Sequence, residues 1–259
     1  MVNEFQHTWA IILGGSSGLG LASAKKLAES GMNICIIHRN TRVELPGIER
    51  EFESIKSIGI SFLSFNIDAL QPEKRQEIIR KIKSEIGSEK VKCLINSIAK
   101  GSLKSMTTEN SLTTDDFLLT INAMAISLYD WTKAIFDAEM FHQDARIISF
   151  TSEGSLKPIP NYGAVSAAKA TLEAISRQIA FEFAPVGIKS NCIQAGVTNT
   201  KSLQLIPNSE KIKEIAIKRN PFKRLTEPED VANVVYLLCK EEAKWINGTI
   251  IKVDGGESL

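Results

Sequence analysis

The sequence predicts one doubly wound α/β domain: a parallel sheet of about seven strands with helices on both faces. Three observations predict it. Apolar runs of strand length alternate with longer helical patterns along the chain. The strand runs are rich in Ile and Val and apolar on both faces, as a sheet covered by helices requires. No composition break, repeat or linker divides the 259 residues, so they read as a single domain.

The first strand, 9–13, runs into Gly14-Gly15-Ser16-Ser17-Gly18-Leu19-Gly20. The first helix, 18–30, stops before Gly31, where a left-handed residue costs glycine little. The second strand is 33–37 and the second helix 48–58. The third strand is 61–65, and the third helix, 72–86, opens on Pro72, whose missing N–H is tolerated in a first turn. The fourth strand, 91–95, precedes one long helix, 114–139, to which Thr113-Thr114-Asp115-Asp116 supply a cap and early negative charge. The fifth strand is 146–150, the fifth helix 164–183 and the sixth strand 188–193. A last helix, 228–240, opens on Pro228 and leads to a seventh strand, 249–253. The segment 201–222 interrupts the alternation with a mixture of Leu, Ile, Pro and Lys. It leaves the carboxyl end of a strand, where ligands of such sheets bind, and reads as a substrate lid, with a surface insertion as the alternative.

Composition excludes several classes. Lys plus Arg total 31 and Asp plus Glu 30, a net charge of +1, which leaves no electrostatic footprint for nucleic acid or an anionic membrane. Hydrophobic residues at 43% and charged residues at 24% suit a soluble globular chain rather than a disordered one. The apolar run 234–239 is six residues long, against the ~20 of a membrane span. Residues 1–7 show no secretory pattern, and a cytoplasmic protein is expected. Cys35, Cys93, Cys192 and Cys239 read as reduced core residues, and His7, His38 and His142 form no metal-ligand spacing.

The turn after the first strand carries chemistry. The chain must bend sharply there, backbone N–H groups must approach a pyrophosphate, and the helix N-terminus adds partial positive charge. Its glycines fall at G-x-x-x-G-x-G between an apolar strand and a helix, and no Gly-Lys-Ser/Thr follows, which excludes a P-loop. A glycine-rich turn without ligand is the plain alternative. In this spacing the chain resembles the short-chain dehydrogenase/reductase family, over roughly Trp9 to Gly256. The resemblance implies a Rossmann-type dinucleotide site, with Gly14, Ser16, Ser17, Gly18, Leu19 and Gly20 at the phosphates.

The second strand ends in His38-Arg39-Asn40. An acid there would hydrogen-bond the ribose hydroxyls and repel a 2′-phosphate. Arg39 instead can pair with that phosphate bidentately, which favours NADPH over NADH; a solvated strand-end arginine is the alternative. By resemblance, Asn66 and Ile67 touch adenine, and Asn96, Ser97 and Ile98 stand where the family has Asn-Asn-Ala. Gly196, Val197, Thr198 and Thr200 would contact the carboxamide and phosphates.

Two catalytic registers are open. Tyr162 pairs either with Ser149, leaving Ser166 in the lysine position, or with Ser152 and Lys169, leaving Val165 where the family usually has its tyrosine. Ser166-Ala167-Ala168-Lys169-Ala170 with Leu172-Glu173-Ala174 resembles the family's lysine helix and favours the second. Seven residues make nearly two turns at ~3.6 per turn, so both side chains can share a face, though Pro158 and Pro160 suggest that Tyr162 lies in the preceding turn. The Tyr-x6-Lys spacing, Ile159-Pro160-Asn161, Ser97-Ile98 and Ala195-Gly196 resemble the enoyl-acyl carrier protein reductase branch.

That resemblance implies hydride transfer from NADPH to the β-carbon of a 2-enoyl thioester in fatty acid biosynthesis. Tyr162 would donate to the developing enolate oxygen, Lys169 would hold the ribose, and Asn122 would support the lysine through water. Ser152 belongs to the same catalytic group without an assigned proton transfer. The alternatives are a 3-oxoacyl or other carbonyl reductase on the same scaffold, and a non-catalytic dinucleotide-binding protein. The expected partner is an acyl thioester, on an acyl carrier protein or on coenzyme A, with Lys201, Lys211 and Lys213 placed to dock an acidic carrier or simply solvated. The family further implies a homotetramer through helices 114–139 and 164–183, with Trp131 and Phe181 as contact surface or, alternatively, as core.

Overall fold

The computed structural model describes residues 4–206 and 208–259; residues 1–3 of the N-terminal segment and residue 207 of the lid segment lie outside them. The strands are β1 (Thr8–Leu13), β2 (Asn33–His38), β3 (Phe62–Asn66), β4 (Lys90–Asn96), β5 (Phe141–Thr151), β6 (Ile188–Ala195) and β7 (Ile250–Val253). All pair in parallel, in the order β3-β2-β1-β4-β5-β6-β7. The order reverses between β1 and β4, which opens a crevice at the carboxyl ends of the strands. Register keeps those ends level: Leu13 pairs with Asn96, Asn96 with Ser149, and Ser149 with Cys192.

The helices are α1 (Gly18–Glu29), α2 (Leu45–Lys56), α3 (Pro72–Ile86), α4 (Thr114–Ile121), α5 (Ser127–Asp137), α6 (Gly163–Glu182), α7 (Lys201–Gln204), α8 (Ser209–Arg219) and α9 (Pro228–Cys239). Alternate strand residues feed two cores. Ile12, Ile34, Ile36 and Ile95 pack under α1, α2 and α9. Ile11, Leu13, Ile37 and Leu94 pack under α3, α5 and α6. Each such aliphatic side chain, buried completely, contributes roughly 1.5–3 kcal/mol, which is why strands of this sheet read as continuous apolar runs. Thr113 caps α4 through a reciprocal box with Asp116, and Gly31 closes α1 at φ 87°.

One expectation needs correction and one open alternative is decided. The predicted helix 114–139 is not continuous: Asn122–Ile126 form a π turn between α4 and α5, and the Ser127 N–H reaches back to the Asn122 carbonyl. Trp131 is not a contact surface. It is fully buried, and its indole N–H donates to the Ala69 carbonyl at 3.0 Å. Phe181, by contrast, is 79% exposed. Among the described residues no helix is long and apolar enough to cross a membrane.

Candidate active site

The carboxyl ends of β1, β4, β5 and β6 open on a cavity of about 630 Å³. Gly14, Ser17, Gly18 and Leu19 line one end of it. Ser17 occupies the N-cap of α1 in an extended conformation, and its hydroxyl makes no capping bond, so the first-turn amides keep no side-chain partner. Such amides, at the positive end of the helix, form an anion site. The glycines are required by close approach as well as by the turn. Gly14 has φ +79°, and a Cβ on it would stand 2.7 Å from the Ser97 carbonyl oxygen. A Cβ on Gly20 would stand 2.6 Å from the Gly14 carbonyl oxygen. Ser97, Ile98, Gly196, Val197, Thr198 and Thr200 continue the wall. Uncapped amides, tight glycines and a nearby buried lysine fit a dinucleotide with its pyrophosphate at the head of α1.

The predicted adenosine-side residues stand outside that wall. Arg39 is exposed and donates to Asp68 Oδ2 at 2.7 Å. Asn66 braces two loops: its Oδ1 accepts from the Asn40 N–H at 2.9 Å and its Nδ2 donates to the Asn40 carbonyl at 3.1 Å. The N–H of Ile67 donates to the His38 carbonyl at 2.8 Å. Asn96 ties β4 to the π turn through the Met124 carbonyl, 3.1 Å from its Nδ2. Ser16, Gly20, Arg39, Asn66, Ile67 and Asn96 therefore shape the crevice without lining the cavity.

Ser152, Tyr162 and Lys169 all line it. Tyr162 is the N-cap residue of α6, at the turn rather than inside the helix, and Lys169 follows on the second helical turn. Lys169 is 9% exposed, and its Nζ donates to the Phe150 carbonyl at 2.7 Å. Burial pulls the lysine down to about 8. Burial pushes the Tyr162 phenol up, and the neighbouring Ser152 hydroxyl acts in the other direction. Ser152 Oγ also accepts from the Gly154 N–H at 3.1 Å. The other register is not assembled. Ser149 is fully buried with its hydroxyl unpartnered, and neither Ser149 nor Ser166 lines the cavity.

Asn122 begins the π turn that packs against α6 and does not line the cavity. Its side chain is exposed, and its carbonyl is occupied by the Ser127 N–H within the π turn. Leu103, Met124 and Val165 supply apolar wall beside Tyr162 instead.

The segment 201–222 forms the far side. Leu203, Leu205, Ile206, Ile212, Ile215 and Ala216 of 201–222 line the cavity. Arg219 fastens α8 to Glu153, with Nη2 3.0 Å from Oε1, and Lys201 lies 3.5 Å from Glu44. Lys213 pairs with Glu210 and Lys211 is exposed. Sequence reasoning missed Arg219, Glu153 and Glu257. Glu257 Oε2 accepts from the Val197 N–H at 2.9 Å, and burial pushes its carboxyl up. These partners lie 38 to 66 residues apart, beyond any local pattern.

Comparison with known proteins agrees with this geometry. A family model described as Enoyl-(Acyl carrier protein) reductase matches residues 14–258. Dehydrogenase/reductase SDR family member 4 of Sus scrofa is 26% identical over 247 residues, 95% of this chain and 86% of its own length. A short-chain dehydrogenase from Burkholderia cenocepacia J2315, solved in complex with NADP, superposes with a TM-score of 0.85 at 24% identity, covering 99% of this chain and 100% of that one. The enoyl-[acyl-carrier-protein] reductase (NADH) from Aquifex aeolicus VF5 gives 0.86 at 22% identity, with 98% of each chain covered. The two structures share the fold; the family match spans nearly the whole chain. This chain belongs to the short-chain dehydrogenase/reductase family and is an oxidoreductase dependent on a nicotinamide dinucleotide.

Proposed function

We propose that the protein reduces the 2,3-double bond of an enoyl thioester with NADPH. The observation that carries this reading is the pair Tyr162 and Lys169, seven residues apart and both on one cavity whose far wall is apolar. When bound, the dihydronicotinamide supplies a hydride. Addition at C3 breaks the carbon–carbon π bond, and its electrons move onto the thioester oxygen. Tyr162 donates a hydrogen bond to that oxygen as its charge grows. Lys169, as an ammonium, orients the ribose and favours the anion electrostatically. A proton from solvent reaches C2 and completes the reduction. The walls from Leu103, Met124, Ile212 and Ile215 exclude water around the acyl chain. Arg39, released from Asp68, supports the choice of NADPH through the 2′-phosphate.

One observation favours a second reading, a 3-oxoacyl or other carbonyl reductase: Ser152 and Tyr162 line the same cavity, which suits a ketone oxygen held by two hydroxyls. In the same proposal the thioester is carried on an acidic carrier protein or coenzyme A at the lid lysines. A homotetramer forms through the apolar stripe Leu118, Leu119, Ile126, Tyr129 and Phe136, which is exposed along α4, the π turn and α5. Purified protein is expected to oxidise NADPH faster with a 2-enoyl thioester than with the matching 3-oxoacyl thioester. The reverse order would transfer the assignment to the second reading.

A further inference from the structure

We propose that Glu173 is a positioning residue that keeps Lys169 charged and clamps its helix to the strand end bearing Ser152; this rests on the role given to Lys169 above. Glu173 lies one turn beyond Lys169 on α6 and is 5% exposed. Thr151 Oγ1 donates to its Oε1, and Thr151 is the residue immediately before Ser152. Among the described residues no cation pairs directly with Glu173. A buried carboxylate without a compensating charge is expensive. The buried cation one turn away is Lys169, whose Nζ turns to the Phe150 carbonyl. Compensation therefore acts through space. It leaves two of the three ammonium donors free for hydroxyls of a bound ribose.

The groups bearing on Lys169 can be named. Glu173 faces it from its own helix, Cys192 from β6, and the Phe150 carbonyl from β5, while Tyr162 stands at the head of α6. The Cys192 thiol, pushed up to about 11 by burial, is neutral at neutral pH. Glu173 is thus the carboxyl group set against the effect of burial on the lysine.

The test is NADPH affinity, read by cofactor fluorescence from neutral to alkaline pH, in the wild type, Lys169→Met and Glu173→Gln. Wild-type affinity is expected to fall as pH passes about 8. Lys169→Met should be weak and flat, and Glu173→Gln should fall about one pH unit earlier. A Lys169→Met profile that keeps the wild-type fall would sink the role of the lysine itself. A flat Lys169→Met profile with an unmoved Glu173→Gln midpoint would sink only the role of Glu173. Should Glu173→Gln not fold, Thr151→Val tests the clamp: turnover should fall about tenfold, a step of ~1.4 kcal/mol, and Thr151→Ser should restore it. Wild-type turnover in Thr151→Val would overturn the proposal.

Discussion

Gly154→Ala isolates the placement of the Tyr162 ring. Gly154 packs against that ring: a Cβ there would stand 2.6 Å from Tyr162 Cε1, 2.9 Å from Cδ1 and 3.1 Å from Ile159 Cδ1. Carbon contacts are comfortable from ~3.5 Å, so the ring must retreat by about 1 Å. Gly154 does not use a left-handed backbone, and alanine therefore meets no conformational penalty of its own. A displacement of ~1 Å at a reacting group costs on the order of 10²-fold in rate, or ~2.7 kcal/mol of transition-state stabilisation. The folded state loses less, because the substitution also restricts the unfolded chain by about 0.4–1 kcal/mol in its favour. The assay is turnover of a 2-enoyl thioester, with NADPH affinity and melting temperature measured in parallel. Turnover should fall about a hundredfold while affinity and melting stay near wild type. Turnover within about threefold of wild type would refute the argument that the phenol must sit where Gly154 lets it.

Two further outcomes follow from the geometry. Asp68→Asn frees Arg39 from a largely exposed ion pair, which is worth at most ~1 kcal/mol; NADPH affinity should rise no more than about fivefold, with NADH affinity unchanged by equilibrium titration. A gain shared equally by both cofactors would separate Arg39 from the 2′-phosphate. Leu119→Asp combined with Ile126→Asp tests the proposed homotetramer: the wild type should run as a tetramer in light scattering and the double variant as a monomer, because both side chains lie on the exposed stripe. Trp131→Phe should leave the oligomer intact and cost roughly 1 kcal/mol for the lost bond to Ala69; dissociation by Trp131→Phe would contradict its place in the core.

The strands were legible because a sheet buried on both faces demands runs such as Ala10 to Leu13, which are fully buried. Tyr162 and Lys169 were legible because Ser166–Ala174 resembles the family's lysine helix, at whose head Tyr162 stands. The break in the long helix at Asn122 was not legible for a physical reason. Asn-Ala-Met-Ala-Ile contains no helix breaker, and a π turn is set by packing that a local pattern does not encode. Trp131 was ambiguous for another. The stretch 118–136 carries apolar residues on several faces, and only its position over the sheet decides which turn inward. The pairing of Arg39 with Asp68 spans 29 residues and depends on β2 and β3 lying side by side.

The cavity divides its labour by the origin of its walls. Its polar half comes from strand ends held level by the sheet and from α1, so Ser97, Ser152 and Gly196 inherit the rigidity of the core. Besides Leu103, Met124 and Val165, its apolar half comes from the described residues of 201–222 and from the turn before α6, which lie outside the strands. Arg219 and Glu153 join those two segments to each other across the mouth. Substitutions at Ile212 or Ile215 can therefore reshape the cavity without moving Lys169, whose position is fixed from behind by Phe150 and, through α6, by Glu173. The polar and apolar walls are in this way carried by different parts of the chain, and under the proposed function the interruption of the strand–helix alternation is where substrate choice would reside.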